Sequence, residues 1–139
     1  MKMPYTPAEL ADRLSRELAE HGRLFVAFDF DNTIFDYHNE GRDYSDVIRL
    51  LQRCSDMGHK MILLTANEDA DRLRFIRDYC QHFGIRIDYV NENPEVCPGC
   101  RKPYYNIFLD DRAGLVEACT TLQAVLDYCY NDSSKQQPK

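Results

Sequence analysis

The 139-residue chain lacks any apolar run that approaches the roughly 20 residues needed to cross a membrane. Its first seven residues, MKMPYTP, contain no hydrophobic signal region. From these two absences we expect a cytoplasmic protein with no membrane partner. Basic residues are also scarce, because 17 lysines and arginines stand against 23 aspartates and glutamates, and the net charge is −6. Phosphate neutralisation needs an excess of basic residues, so nucleic acid is not an expected partner.

Internal repeats and long linkers are absent as well, and the length suits one domain. We place that domain at residues 1–130 and expect a disordered polar tail at 131–139. Short apolar runs predict strands, the third of them at an edge, and these runs are 24–28, 61–64, 85–90 and 107–109. Helical periodicity precedes the first strand, occurs in the next two intervals and follows the fourth strand, with Thr6 and Asn67 as the caps of the first and third helices. Residues 91–103, between the third and fourth strands, are expected to form a loop.

The alternation of helices and strands predicts a Rossmann-like α/β fold, a doubly wound parallel sheet in three layers. The predicted strand order is 4-1-2-3. In such sheets, ligands bind beyond the carboxyl ends of the strands. The residues that follow each strand are therefore the candidates for a functional site.

Acidic and hydroxyl side chains follow three of the four predicted strands. The first strand ends in Asp29 and Asp31, the second in Thr65, and the fourth in Asp110 and Asp111. Two carboxylates about 4 Å apart repel each other by roughly 4 kcal/mol at an effective dielectric of 20, so a cluster of them needs protons or cations. Hard oxygen ligands that leave room for water and substrate suit Mg²⁺, which is the cofactor we expect.

The spacing of the first two aspartates also suggests a chemistry. Residues i and i+2 of an extended strand point the same way, so Asp29 and Asp31 can face one reacting phosphorus. One carboxylate can attack it while the other protonates the leaving oxygen and later deprotonates water.

At these positions the sequence resembles the haloacid dehalogenase-like (HAD) hydrolases. Their first motif, D-x-D-x-T after a hydrophobic run, matches DFDNT at 29–33. Their second motif, a strand that ends in Ser or Thr, matches LLT at 63–65. Their fourth motif, a paired acid after a strand, matches LDDR at 109–112. The resemblance covers roughly residues 24–118, and the three motifs occur in the family's order.

The resemblance implies an Mg²⁺-dependent phosphohydrolase that acts on a phosphomonoester through an aspartyl-phosphate. By this resemblance Asp29 is the nucleophile and a metal ligand. Asp31 is the general acid and base, and its backbone carbonyl helps to bind Mg²⁺. Thr65 would hydrogen-bond the transferring phosphoryl group, while Asp110 and Asp111 would hold the metal directly or through water. Family members with dehalogenase activity lack the second aspartate, so Asp31 favours phosphoryl over carbon–halogen chemistry.

The family's third motif supplies a lysine or arginine that neutralises the phosphate. The candidate in the right order is Lys102, eight residues before the paired acids, and Arg112 is a substitute. If residues 105–110 form a strand about 20 Å long, Lys102 lies near its amino end, whereas the site is at its carboxyl end. Lys102 then reaches the site only if the preceding loop brings it toward the carboxyl end.

Residues near the motifs are candidates for substrate contact. In the family, the segment after the first motif is a flap over the site, which makes His38 and Arg42 candidates, and Asn67 lies close to the second motif. The arginines of the third helix are expected on a solvated face, and they are Arg72, Arg74 and Arg77. Neither interval between the motifs has room for a cap domain. The open site suits a nucleotide, a sugar phosphate or a larger phosphorylated substrate, or a second copy of the chain as a lid.

Two other functions stay open. One is a catalytically inactive HAD-like protein that binds a metal or a partner. The other is a phospho-acceptor domain of the response-regulator type, in which adjacent acids follow the first strand and Lys-Pro follows the last. In this chain the D-x-D motif comes first and Lys102-Pro103 precedes the final strand, which disfavours that order.

The six cysteines are expected to be free thiols, because no secretory signal accompanies them. Four lie in helical apolar patterns as small buried hydrophobes, and these are Cys54, Cys80, Cys119 and Cys129. The remaining pair forms one C-x-x-C, at Cys97 and Cys100. A structural zinc site needs four ligands and no second pair exists, so an ordinary Pro-Gly turn is favoured over zinc binding or redox activity.

Overall fold

A computed structural model describes residues 1–135, with side chains described through Cys129. In this part of the chain the helices are α1 (Pro7–His21), α2 (Ser45–Asp56), α3 (Ala70–His82) and α4 (Leu115–Lys135). The strands are β1 (Phe25–Phe28), β2 (Lys60–Leu63), β3 (Tyr89–Val90) and β4 (Ile107–Leu109). None of the helices in residues 1–135 is long and apolar enough to span a membrane. The predicted tail, 131–139, begins inside α4, and its residues 136–139 lie outside the described residues, so its disorder stays a prediction.

The four strands form one parallel sheet in the order β3-β2-β1-β4. Val26 of β1 pairs with Met61 of β2 on one side and with Ile107 of β4 on the other. All four residues of β1 are buried, as its continuous apolar run predicts for a central strand covered on both faces. The Rossmann-like α/β class and the predicted strand order are confirmed.

The two faces of the sheet are covered unequally. Val26 and Phe28 belong to a large core cluster that takes buried side chains from each helix, among them Leu14, Leu51, Ile76 and Leu122. Phe25, Ala27 and Ile62 form a small cluster on the opposite face, where Tyr104 packs edge-on against Phe25 with ring centroids 5.5 Å apart. Among the described residues no helix joins this second cluster. The predicted third layer is therefore thin, because the β3-to-β4 connection returns across the sheet without forming a helix.

Local signals explain where the elements begin and end. Thr6 and Glu9 form the predicted capping box of α1, with the Glu9 N–H donating to the Thr6 hydroxyl over 3.2 Å. The cap of α3 differs from the prediction, because Asp69 accepts from the Arg72 N–H and Asn67 lies outside the helix. The third strand is also shorter than predicted, since only its last two residues pair with β2, while Ile85 packs into the core.

The C-x-x-C motif corrects another expectation. Cys97 and Cys100 form a disulfide within the segment 91–106, with their Cα atoms 5.9 Å apart, so these two cysteines are neither free thiols nor zinc ligands in this structure. The Asn93 side chain joins the two ends of the loop. It donates to the carbonyls of Cys100 and Lys102 and accepts from the N–H of Tyr104. Cys54 and Cys80 are buried free thiols as predicted, whereas Cys119 and Cys129 are only half-buried.

Candidate functional site

A polar cleft of about 720 Å³ opens at the carboxyl edge of the sheet, where loops from all four strands meet. Six of the predicted site residues line this cleft, namely Asp29, Asp31, His38, Thr65, Asp110 and Asp111. The predicted motifs therefore surround one cavity, at the edge of the sheet where doubly wound folds bind their ligands. His38 is exposed there and stacks edge-on against Tyr37, with ring centroids 5.2 Å apart.

Three of the four motif aspartates come together in this cleft. Asp29, Asp110 and Asp111 each offer a carboxylate oxygen, and these oxygens all lie within 4.8 Å of one another. We call this group the carboxylate cluster. Asp29 and Asp110 are half-buried and Asp111 is exposed, so the cluster is open to solvent on one side.

The pKa of Asp29 reflects both its burial and the negative charges beside it. Burial raises the pKa of Asp29 from its usual 3.8 to about 6, and the negative charge of Asp110 adds to the rise. Hydrogen bonds from the Phe30 N–H and the Thr33 hydroxyl oppose it. Three crowded oxygen donors with uncompensated negative charge are the donor set that a hard divalent cation prefers. These residues therefore fit Mg²⁺.

The Thr33 side chain connects the two loops that carry the cluster. It is fully buried, and its hydroxyl lies 3.2 Å from Oδ2 of Asp29 and accepts from the Asp111 N–H over 3.1 Å. A buried hydroxyl group that makes both a donated and an accepted hydrogen bond is held in one orientation. The final threonine of the D-x-D-x-T motif thus fixes the β1 loop against the β4 loop.

Asp31 is the exception among the four aspartates. Its side chain is outside the carboxylate cluster, because Oδ1 accepts from Nη2 of Arg72 over 2.8 Å. Its other oxygen, Oδ2, lies 3.3 Å from Nδ2 of Asn67. Asp31 thus lines the same cleft as the other three aspartates, but its carboxylate is not part of the cluster. The predicted metal contact of Asp31 is through its backbone carbonyl, and that contact stays a prediction.

The second motif is fixed by two asparagines. Nδ2 and the backbone N–H of Asn67 both donate to the Thr65 hydroxyl, over 2.7 and 3.1 Å. Asn91, directly after β3, exchanges two hydrogen bonds with the backbone of Thr65, at 2.8 and 2.9 Å. Asn91 has a φ of 52°, a left-handed conformation that asparagine adopts more readily than most residues. The hydroxyl of Thr65 therefore accepts twice, which leaves its own proton for a ligand.

Three predicted residues do not line the cleft. Asn67 is one of them, although its side chain contacts Thr65 and Asp31. Arg42 is exposed, pairs with Glu40 over 2.7 Å and does not line the cavity. Lys102 is exposed and also outside the lining, although its neighbour Pro103 is part of it. The substitute cation, Arg112, does line the cleft. The predicted reach of Lys102 assumes a strand over residues 105–110, and β4 is shorter than that. The side chain of Lys102 nevertheless lies outside the cleft.

Sequence reasoning missed two residues of the site. Arg72 was expected on a solvated face, but it is only half exposed and binds Asp31. A signal was present, since a cation in the first turn of a helix opposes the helix dipole and needs a compensating partner. Asn91 was placed in a loop without a role, although it follows a strand at the edge where ligands bind.

Comparisons with known proteins bear on the fold alone. No protein-family model matches the chain, and no curated protein matches it. Among solved structures, the chain is similar to a conserved protein from Bacteroides thetaiotaomicron, at 21% sequence identity and a TM-score of 0.58. The match covers 79% of this chain and 92% of that protein. At this identity the likeness shows a shared fold and carries no activity with it.

Proposed function

We propose that the chain is an Mg²⁺-dependent phosphohydrolase of the HAD type that cleaves phosphomonoesters through an aspartyl-phosphate on Asp29. One observation carries this proposal. Three carboxylates, those of Asp29, Asp110 and Asp111, crowd within 4.8 Å, while Asp31 is held apart by a cation. This chemistry needs a metal-binding site, a nucleophile within it and a separate group that transfers protons.

The carboxylate cluster would hold the metal through oxygens of Asp29, Asp110 and Asp111, and the resemblance adds the backbone carbonyl of Asp31. Bound Mg²⁺ supplies the positive charge that lets an anionic phosphate approach an anionic nucleophile. Arg112 also lines the cleft and would add positive charge near the phosphate.

In the first half of the reaction, a carboxylate oxygen of Asp29 attacks the phosphorus. The bond between phosphorus and the leaving oxygen breaks, and Asp31 donates a proton to that oxygen. The Thr65 hydroxyl already accepts two hydrogen bonds from Asn67, so its proton is available to a phosphoryl oxygen. Thr65 is thereby placed to orient the group in transfer.

In the second half, water attacks the phosphorus of the aspartyl-phosphate. Asp31 accepts the water's proton, the bond between phosphorus and the Asp29 oxygen breaks, and inorganic phosphate leaves. The same carboxyl group thus gives a proton in one half and takes one in the other. Phosphate release restores both aspartates to their starting state.

The substrate is a phosphomonoester whose alcohol part extends out of an open cleft. Nucleotides, sugar phosphates and larger phosphorylated molecules all fit this description, and a second copy of the chain could cover the opening. The acidic balance of the chain disfavours nucleic acid as substrate. The proposed compartment is the cytoplasm.

The test is a phosphatase screen with Mg²⁺ across metabolite phosphates and para-nitrophenyl phosphate, comparing wild type with Asp29→Asn. Asp12→Asn on the exposed face of α1 is the matched control. We expect turnover by wild type and the control, and none by Asp29→Asn. A wild type that hydrolyses none of these esters overturns the proposal, and equal activity of both proteins removes Asp29 as nucleophile.

A second candidate is a metal-binding protein of this fold without turnover. The observation that favours it is the outward position of Lys102, which leaves the family's third motif outside the cleft. Both functions predict Mg²⁺ binding by calorimetry, so the phosphatase screen separates them: the second predicts Mg²⁺ binding by wild type with no turnover of any ester.

A further inference from the structure

We infer that Arg72 is a positioning residue that sets the Asp31 carboxylate for proton transfer, an inference that rests on the proposed function. Nη2 of Arg72 lies 2.8 Å from Oδ1 of Asp31. The two side chains are 26% and 25% exposed, so the pair is sheltered rather than freely solvated. With Asn67 near Oδ2, both oxygens of the carboxylate have a partner.

Aromatic rings fix the guanidinium of Arg72 from several sides. Its Cζ atom lies 4.9 Å from the ring centre of Phe75 and 5.3 Å from that of Phe35. Phe30 and Tyr37 add contacts at 5.7 and 5.9 Å. A planar guanidinium stacks on such rings in a way that a flexible ammonium does not. We call this surrounding the aromatic box.

The aromatic box is tied to the first motif by sequence as well as by packing. Phe30 is the residue between the two aspartates of the D-x-D pair, it is fully buried, and its ring stacks on Phe35 at 5.2 Å. One wall of the box is therefore part of the motif itself. Arg72 is held in register with Asp31, although it comes from a different element of the chain.

The position of Arg72 in α3 is unfavourable apart from this pair. Its N–H is bound by the N-cap Asp69, so its side chain leaves from the first turn of the helix. The positive end of the helix dipole repels a cation there. Solvated arginines are available two and five residues further along, at Arg74 and Arg77, both of them exposed. The pairing with Asp31 gives Arg72 a role that these two do not share.

The role can be isolated by the choice of leaving group. Para-nitrophenolate leaves without help from an acid, so formation of the aspartyl-phosphate from this ester does not use Asp31. Hydrolysis of that intermediate does. Glycerol phosphate has a poor leaving group, so both halves of its reaction need Asp31. A residue that only positions Asp31 affects these two substrates in different ways.

The experiment compares wild type, Arg72→Ala and Arg74→Ala on both esters with Mg²⁺. For Arg72→Ala on para-nitrophenyl phosphate, we expect kcat and KM to fall together, about tenfold to a hundredfold, with kcat/KM within about threefold of wild type. On glycerol phosphate, kcat/KM falls about tenfold to a hundredfold. Arg74→Ala matches wild type on both substrates. Arg72→Lys recovers part of the loss, because it keeps the charge without the planar geometry.

Other outcomes overturn the inference. An equal fall in kcat/KM on both esters shows a general loss of structure, and a raised KM with unchanged kcat shows that Arg72 binds substrate instead. If Arg72→Ala does not fold by circular dichroism, Arg72→Met fills the aromatic box without the charge and gives the same comparison. An active wild type with unchanged variants refutes the role of Arg72 alone, whereas an inactive wild type refutes the proposed function and this inference with it.

Discussion

The two aspartates of the first motif are separated by a single residue in the chain and lie in opposite surroundings. Asp29 stands among carboxylates, and burial together with Asp110 raises its pKa to about 6. Asp31 stands against a guanidinium and an amide, with Arg72 at 2.8 Å. A D-x-D pattern therefore encodes two sites rather than one. Among the described residues no ion pair involves the carboxylate of Asp29, whereas that of Asp31 is paired with Arg72.

This difference divides the chemistry between the two residues. A carboxylate surrounded by negative charge favours a cation and can serve as the nucleophile beside it. A carboxylate with a fixed partner on each oxygen is held in one orientation, which proton transfer requires. The turn at Asn32, with a φ of 62°, lets the chain reverse after the pair and send the next residues back over the core.

The largest expected effect is the contrast between substitutions at the two positions. Asp29→Asn removes the nucleophile and lowers kcat by about 10⁴-fold or more. Asp31→Asn lowers kcat on para-nitrophenyl phosphate by about 10²-fold to 10³-fold, because only the second half of that reaction needs it. Steady-state kinetics with Asp12→Asn as control measures both. Equal losses at the two positions would break the division of roles.

The affinity for Mg²⁺ should also distinguish the carboxylate cluster from the side chain of Asp31. The double variant Asp110→Asn with Asp111→Asn is expected to bind Mg²⁺ about a hundredfold more weakly, because two charged ligands are lost. Asp31→Asn stays within about threefold of wild type, since its side chain is outside the carboxylate cluster. Titration calorimetry on chelator-treated protein measures the affinities. An equally large loss in Asp31→Asn would mean that its side chain joins the cluster when the metal binds.

The raised pKa of Asp29 gives a dependence of stability on pH. The folded state binds this proton more tightly than the unfolded chain, so the contribution is present below pH 4 and is lost as pH rises through about 6. Without metal, Asp29→Asn is therefore expected to be more stable than wild type at pH 8, by about 1–2 kcal/mol after allowance for solvent screening.

The advantage of Asp29→Asn should vanish near pH 4, where the wild-type carboxyl is protonated. Urea unfolding at several pH values measures it. Saturating Mg²⁺ should reverse the order, because the variant has lost one metal ligand and binds the ion more weakly than wild type. A stability difference that stays constant with pH contradicts the crowded surroundings assigned to Asp29.

The smallest expected effect concerns Arg112 and Lys102, the two candidates for the cation that neutralises the phosphate. Arg112→Ala removes a cation that lines the cleft and should raise KM about fivefold, while Lys102→Ala should change KM by about twofold or less. Kinetics on one good ester at two ionic strengths checks both, because the effect of Arg112 should weaken with salt. A larger effect of Lys102 would place this lysine over the cleft in the bound state.

The sequence carries the fold and the cluster for identifiable reasons. Buried strands such as Phe25–Phe28 are short continuous apolar runs, and the parallel topology follows from their alternation with helices. The cluster is predictable because parallel strands bring their carboxyl ends to one edge, which collects Asp29 with the pair after β4. These parts depend on periodicity and order alone.

The rest depends on contacts that no local pattern encodes. The Arg72–Asp31 pair joins side chains 41 residues apart, and its geometry comes from how α3 packs against Phe30 and Phe35. Asp69 rather than Asn67 caps α3, because the side chain of Asn67 instead donates a hydrogen bond to Thr65 of the second motif. The disulfide between Cys97 and Cys100 is not predicted, because the absence of a signal region favours free thiols. The loop geometry that brings these two cysteines together is not visible in the sequence.

The central claim is that Asp29 carries the phosphoryl group. The most direct measurement uses Asp31→Asn protein incubated with Mg²⁺ and para-nitrophenyl phosphate, reduced with borohydride and digested for peptide mass spectrometry. Borohydride converts an aspartyl-phosphate to homoserine and leaves free aspartates unchanged. The account predicts homoserine at position 29 and aspartate at 110 and 111. Homoserine at another position, or none at all while the wild type turns over the same ester, would contradict it.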